Sequence, residues 1–179
     1  MADKTKIDEH KQEDFPKRTN QLIALTALIL AICATFSSLY AGANASKGIL
    51  SQNKASDSWA YYQAKSMKET MYRIQLEELE IDPPADEQKF ATLTAKYKSE
   101  IERYDNEEKE IHDAAKAHEA DRDKFLALNR GFAGALTYLQ IAILLVSLAG
   151  LMKQIGFWYA GMAIGAFGIF NFVTTMSMM

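Results

Sequence analysis

Leu22-Ile23-Ala24-Leu25-Thr26-Ala27-Leu28-Ile29-Leu30-Ala31-Ile32-Cys33-Ala34-Thr35-Phe36-Ser37-Ser38-Leu39-Tyr40 is an apolar run without a charge. The chain goes on through Ala41-Gly42-Ala43-Asn44-Ala45-Ser46-Lys47-Gly48 to Trp59-Ala60-Tyr61-Tyr62-Gln63-Ala64-Lys65 and Leu79, with no proline and no turn cluster. Ala24, Ala27, Ala31, Ala34, Ser38, Ala41, Ala45 and Gly48 follow at steps of 3, 4, 3, 4, 3, 4 and 3. Such steps trace one face of an α-helix, and small side chains on a face let another helix approach closely. The spacing predicts one helix from Asn20 to about Ile81, roughly 90 Å long at about 1.5 Å per residue, beginning in an apolar phase and ending in water.

Charge is segregated along the rest of the chain. No charged residue lies between Leu22 and Gly42, and Lys153 is the only one between Gly131 and Met179. Residues 43–130 hold 14 Lys or Arg and 18 Asp or Glu. Apolar runs of about 20 residues are what a hydrocarbon layer of roughly 30 Å requires. The pattern is that of a helical membrane protein, although 24% charged residues would pass for a soluble one. Cys33 is the single cysteine, so no internal disulfide holds the fold, and a small apolar packing role suits it. Lys17-Arg18, the apolar run and Ala43-Asn44-Ala45 together resemble a secretory leader with its cleavage site. The run is longer than the roughly 7–15 residues of a leader core, and the helical face passes through the supposed site unbroken, so cleavage is not expected.

In chain order, residues 1–19 are of mixed charge and expected to be a mobile N-terminal segment, with Thr19 or Asn20 capping the first helix. A first transmembrane helix is expected over 20–42. An extramembrane helical hairpin follows over 43–125, its tip at 82–85 where Pro83-Pro84 ends the first helix. Before the tip, Ala60, Ala64, Met67, Met71 and Ile74 form one row and Gln52, Ala55, Trp59, Tyr62 and Ser66 another. Two rows imply two neighbours, one the hairpin partner and the other a second subunit. After the tip, Phe90, Leu93, Tyr97, Ile101, Tyr104, Glu108, Ile111, Ala115, His118, Arg122 and Phe125 repeat in near-heptads. Folding about the prolines would set Tyr62 opposite Tyr104 and Asp105, and Met71 opposite Lys96. That gathers an aromatic cluster of Trp59, Tyr61, Tyr62 and Tyr104. Second and third transmembrane helices are expected over 126–152 and 157–178, joined by a turn at 153–156 too short to cross anything. The fold class is thus all-α: three transmembrane helices with a long antiparallel coiled-coil-like hairpin between the first and second. Lys17, Arg18 and Lys153 favour a cytoplasmic N-terminus and a periplasmic hairpin.

Chemistry-bearing constellations are sparse. His112 and His118, six residues apart on one helix, point about 120° from each other and cannot share an ion. Glu108 and His112 stand at i, i+4, a weak chelating pair at best. There is no Gly-x-Ser-x-Gly and no phosphate-cradling loop, and the only thiol lies in an apolar run. No catalytic residue, metal or cofactor is assigned. Gly161, Gly165 and Gly168 form a small-residue face on the third apolar run, suited to tight helix packing within or between subunits. The membrane runs carry Thr35, Ser38, Gln140 and Asn171 among their few polar groups and no ionisable residue at mid-depth.

The block Ala55-Ser56-Asp57-Ser58-Trp59-Ala60-Tyr61-Tyr62-Gln63-Ala64-Lys65-Ser66 resembles a bacterial membrane family catalogued as domain-of-unknown-function family 4337. The likeness extends to the preceding apolar helix, to Tyr138-Leu139-Gln140-Ile141-Ala142 and to Phe157-Trp158-Tyr159-Ala160-Gly161. The resemblance implies the same three-span plan with a charged hairpin; it implies no activity, ligand or site. The expectation is a non-enzymatic protein of the bacterial inner membrane, a homo-oligomeric scaffold or interaction protein. Its partners would be the lipid bilayer, further copies of itself and an unidentified membrane or envelope protein, with no nucleic acid. An oligomeric ion or small-solute channel and an accessory subunit of a membrane complex are the alternatives.

Overall fold

The computed structural model describes residues 16–179. The expected mobile segment lies outside the described residues up to position 15. Lys17, Arg18 and Thr19 belong to the first turn of α1 (Lys17–Ile81). The Pro16 carbonyl accepts from the Thr19 N–H at 2.8 Å and the Asn20 N–H at 3.3 Å, so Thr19 and Asn20 lie inside the helix rather than capping it. The helix begins three residues before the expected position because the fixed φ of proline suits a helix start. Residues 42–48 are helical, and α1 passes through them without interruption.

Pro83-Pro84 ends α1 as expected: neither has an N–H to continue the ladder. Asp86 then caps α2 (Glu87–Met152), its Oδ1 accepting from the Gln88 N–H at 3.0 Å and the Lys89 N–H at 3.2 Å. Only Lys153 and Gln154 separate α2 from α3 (Ile155–Met176), a tighter link than the turn expected over 153–156. Lys153 takes φ 54°, the left-handed conformation that reverses the chain in so few residues. Among the described residues the fold is all-α, with no strand. Each of the three helices contains a stretch long and apolar enough to cross a membrane.

The chain divides into two compact units, and the first comprises the described residues up to Asn44 with 127–179. Its organising face is on α2: Leu128, Phe132, Ala135, Leu139, Ala142, Val146 and Ala149 are all buried, at steps of 4, 3, 4, 3, 4 and 3. Ile23, Leu30 and Ala34 of α1 complete the core with Leu139, Ala142 and Val146. On α3 the buried positions include Gly161, Gly165 and Gly168. A Cβ on Gly161 would stand 2.7 Å from Val146 Cγ2 and 3.1 Å from the Ala142 carbonyl oxygen, so glycine is what lets α3 lie against α2. One on Gly165 would stand 2.7 Å from Leu30 Cδ2. Tyr40, Phe132 and Phe172, one from each helix, form a ring cluster with centroids 5.3 to 6.3 Å apart. The large side chains face the other way: Leu28, Leu39, Leu144, Leu151, Phe170 and Tyr159 are among the most exposed residues of this unit.

The second unit is 45–126. Here α1 and α2 pack through Ala55, Tyr104, Glu108 and Ala115, all buried, with Trp59, Tyr62 and Tyr72 half-buried beside them. The near-heptad row of α2 from Phe90 to Phe125 is buried or half-buried at every position. Partner numbers on α2 fall as those on α1 rise. Gln52 accepts from Arg122 at 2.9 Å, Trp59 Nε1 donates to Glu119 at 3.0 Å, Lys65 pairs with Glu107 at 2.5 Å and Tyr72 stacks on Tyr104.

Candidate interaction faces

The small-residue face predicted on α1 is only partly covered by the other helices. Ala34, Ala41 and Gly48 are buried and Ala27 is half-buried, whereas Ala24, Ala31 and Ser38 are exposed and Ala45 is half-buried. The residues that alternate with the buried members are Ile23, Leu30, Ser37, Asn44 and Ser51. Two side-chain hydrogen bonds pair α1 with α2 here, whereas Asn44 bonds the Tyr40 carbonyl of its own helix. Ser37 Oγ donates to the Phe132 carbonyl at 2.7 Å, and Asn129 Nδ2 donates to the Ala41 carbonyl at 2.9 Å. On the outer side, Thr35, Ser38 and Gln140 border an open groove of about 310 Å³ that they share with Ala34, Leu39 and Leu136.

The aromatic cluster expected in the second unit is two clusters. Trp59 and Tyr62 meet each other and His112, with ring centroids 5.5 to 6.3 Å apart. Tyr104 belongs to the other, in which Tyr72 is the central ring, its centroid 5.9 Å from that of Tyr104 and 5.9 Å from that of Tyr97. Lys65 links Tyr104 to Tyr61, which is in neither cluster, its Nζ 5.1 Å from the Tyr61 ring centroid and 5.3 Å from that of Tyr104. The pairing of Tyr62 with Tyr104 is therefore corrected, although Asp105 does line a cleft with Tyr62: the ring facing Tyr62 is His112, about two helical turns beyond Tyr104. A slip of one heptad returns the same faces to each other, so apolar periodicity fixes the faces and leaves the register to the loop at 82–86.

Electrostatics in this unit follow from contact. The Lys65 ammonium holds the Glu107 carboxyl below the ordinary glutamate range, and the Trp59 N–H, with Lys116, does the same to Glu119. Glu108 is the exception. Burial pushes its carboxyl up, the neighbouring Glu69 adds to the effect, and the Tyr62 hydroxyl bonded to it works against both. Its Oε1 has no hydrogen-bond partner. Among the described residues no three His, Cys, Asp or Glu side chains are placed to hold a metal ion.

With the three helices, the two apolar runs of α2 and α3 and the Trp59–Tyr62 block placed, the comparison with known families is decisive. The family model described as Domain of unknown function (DUF4337) matches residues 19–178. The chain belongs to that family. No match is found among curated proteins or among solved structures. In this DUF4337 chain the glycine face of α3 is consumed inside the protomer, by α2 and Leu30. The faces left open are Ala24, Ala31 and Ser38 on α1, the groove beside Gln140, and the row Ala60, Ala64, Met67, Met71 and Ile74, all exposed.

Three features escaped sequence reasoning. The α2 face from Leu128 to Ala149 lies in a run where nearly every residue is apolar, so apolar spacing is silent there; alternation of small and large residues would have marked it. The Trp59–Glu119 hydrogen bond depends on the register that the loop sets. Glu108 was seen on the apolar row, but nothing in the sequence says which carboxyl on such a row is buried with one oxygen unbonded.

Proposed function

We propose that this chain is a multi-pass membrane protein whose first unit spans the bilayer and whose second unit is an antiparallel coiled-coil-like hairpin in the aqueous phase. It works as a non-enzymatic homo-oligomeric scaffold. The observation that carries this reading is the inversion of side-chain size in the first unit. Ala, Gly and Ser fill much of its inner faces, while Leu, Ile and Phe stand exposed around its outside. In water such a surface would be an aggregation hazard. In lipid it is the arrangement expected, because lipid tails are as apolar as leucine and tight packing is what brings helices together. Ser37, Asn129 and Trp158 bond from one helix to another, while Thr26, Thr35, Asn44 and Thr137 bond carbonyls of their own helix, a distribution that suits a structural role. Lys17, Arg18 and Lys153 support a cytoplasmic N-terminus in a bacterial inner membrane, with the hairpin periplasmic.

A channel is the second reading, favoured by the outward groove with Thr35, Ser38 and Gln140. An amide facing hydrocarbon without a partner is costly, so in an oligomer Gln140 either bonds a neighbouring helix or faces water. Purification into lipid nanodiscs, mass measurement of the particle and ion flux in vesicles separate the two. A fixed number of copies without flux is expected. A particle containing one copy overturns the scaffold, flux abolished by Gln140→Leu establishes the channel, and a stoichiometric second protein makes it an accessory subunit.

A further inference from the structure

Met67, Met71 and Ile74 are 67%, 55% and 49% exposed, and Ala60 and Ala64 in the same row are exposed as well. The five stand at steps of 4, 3, 4 and 3 on α1, off the face through which Ala55, Trp59, Tyr62 and Tyr72 meet α2. An open apolar groove of about 510 Å³ runs beside them, from Tyr62 to Ile74. Among the described residues none covers this stripe, although it lies in the most highly charged part of the sequence.

We propose that the stripe is the contact between two copies of the chain, laid parallel and in register. The proposal rests on the homo-oligomeric membrane reading given above. Heptad spacing asks for a helix of the same period as its partner. The flanking positions Tyr61, Gln63, Lys68, Thr70 and Gln75 carry a single charge between them. Parallel pairing sets Gln63 beside Lys68 of the partner subunit and Thr70 beside Gln75 of the partner subunit, and like charges meet only past Ile74, at Glu77 and Glu78, where the stripe ends. Antiparallel pairing would instead set Lys68 against Lys68 of the partner subunit, a like-charge contact that opposes it. Size points the same way. Five side chains fall far short of the roughly 20–30 residues a side of an interface that recruits a partner from solution. They suffice for a partner already held alongside, in the same bilayer and the same orientation, where the effective concentration is high. Another copy of this chain meets that condition, with the same stripe at the same sequence distance from its own apolar run.

The test uses the full chain in vesicles, with Cys33→Ala removing the one native thiol. Single cysteines are placed at Ala64, at Met71 and, as a control, at the exposed Ala117 of α2, and the vesicles are oxidised. Several-fold more covalent dimer at positions 64 and 71 than at 117 is expected. Equal yields at all three positions mean random collision and overturn the proposal. So does adduct of another mass at 64 and 71, which would assign the stripe to a different protein. Absence of dimer at 64 and 71 also overturns it. If the nanodisc particle still holds several copies in that case, only the stripe contact is lost; if it holds one, the homo-oligomer fails too. Circular dichroism of each variant confirms that the helices are intact.

Discussion

The two units of this chain pack helices by opposite rules. In 45–126 the inner face is bulky and partly polar, with Trp59, Tyr62, Tyr72, Tyr104 and Glu108 between the helices and charge on the outside. In the three-helix unit the inner face is rich in Ala, Gly and Ser and the outside is bulky and apolar. The hydrophobic effect holds the first kind together, since water is what its inner face avoids. It does nothing for the second when lipid is the solvent, and close approach with its dispersion gains takes over. The same two long helices, α1 and α2, serve both rules at their two ends.

That contrast is open to direct attack, and the largest effect belongs to the small-residue side. Gly161→Leu puts a branched side chain where even a Cβ would stand 2.7 Å from Val146 and 3.1 Å from a backbone oxygen. A loss of about 3 kcal/mol or more is expected, read as loss of the folded particle in lipid or as its thermal midpoint. Gly42→Leu is the matching control, because a Cβ there meets nothing within 4 Å, and it should leave stability unchanged. If both variants behave alike, the packing rule drawn for the first unit is wrong.

Leu144, 70% exposed, tests the outside of that unit. Leu144→Ala should be close to neutral, whereas Leu144→Arg should cost about 2.5–3.5 kcal/mol of membrane insertion, measured as the inserted fraction in a translation assay. An insertion efficiency unmoved by arginine would mean that this face does not meet lipid.

In the hairpin unit the informative residue is Glu108. Its carboxyl is raised by burial, so the proton it holds is bound more tightly in the folded state than in the unfolded one. Its contribution is therefore fully present below the unfolded pKa and lost as pH rises through the folded value. Glu108→Gln should stabilise the unit by about 1 kcal/mol at neutral pH, with the gain vanishing in acid, as followed by thermal melts across pH. Glu107 and Glu119 are shifted down, so the stability they bring is present at neutral pH and lost as pH falls through their lowered values. Glu107→Gln should therefore flatten the acid limb of the same melts. No larger than these, Trp59→Phe deletes one hydrogen bond to Glu119 and keeps the ring, an expected loss of about 1 kcal/mol in the same assay.

What could be read from the sequence divides along the same line. Where polar and apolar residues alternate, as from Phe90 to Phe125, every position of the predicted row lands on the inner face. The contrast between residue types carries the phase. Where the run is apolar throughout, only size carries it, and the small-residue spacing does not separate Ala34 and Ala41, buried within the chain, from Ala24, Ala31 and Ser38, which stay exposed beside Ile23, Leu30 and Ser37. Gly161, Gly165 and Gly168 were recognisable as a packing face, but nothing in them told that α2 and Leu30 were the occupants. Register between long helices was the remaining gap, since a heptad slip leaves every row where it was.

Lys153 and Gln154 alone join α2 to α3, with Lys153 turned into the left-handed conformation. On the membrane reading this link is a hinge with no slack. The chain that leaves one span is committed to re-enter beside it, so the last two spans must be handed to the bilayer as a single package during synthesis. A longer, looser link would allow α3 to wander from the Leu139–Val146 face before its glycines had found it.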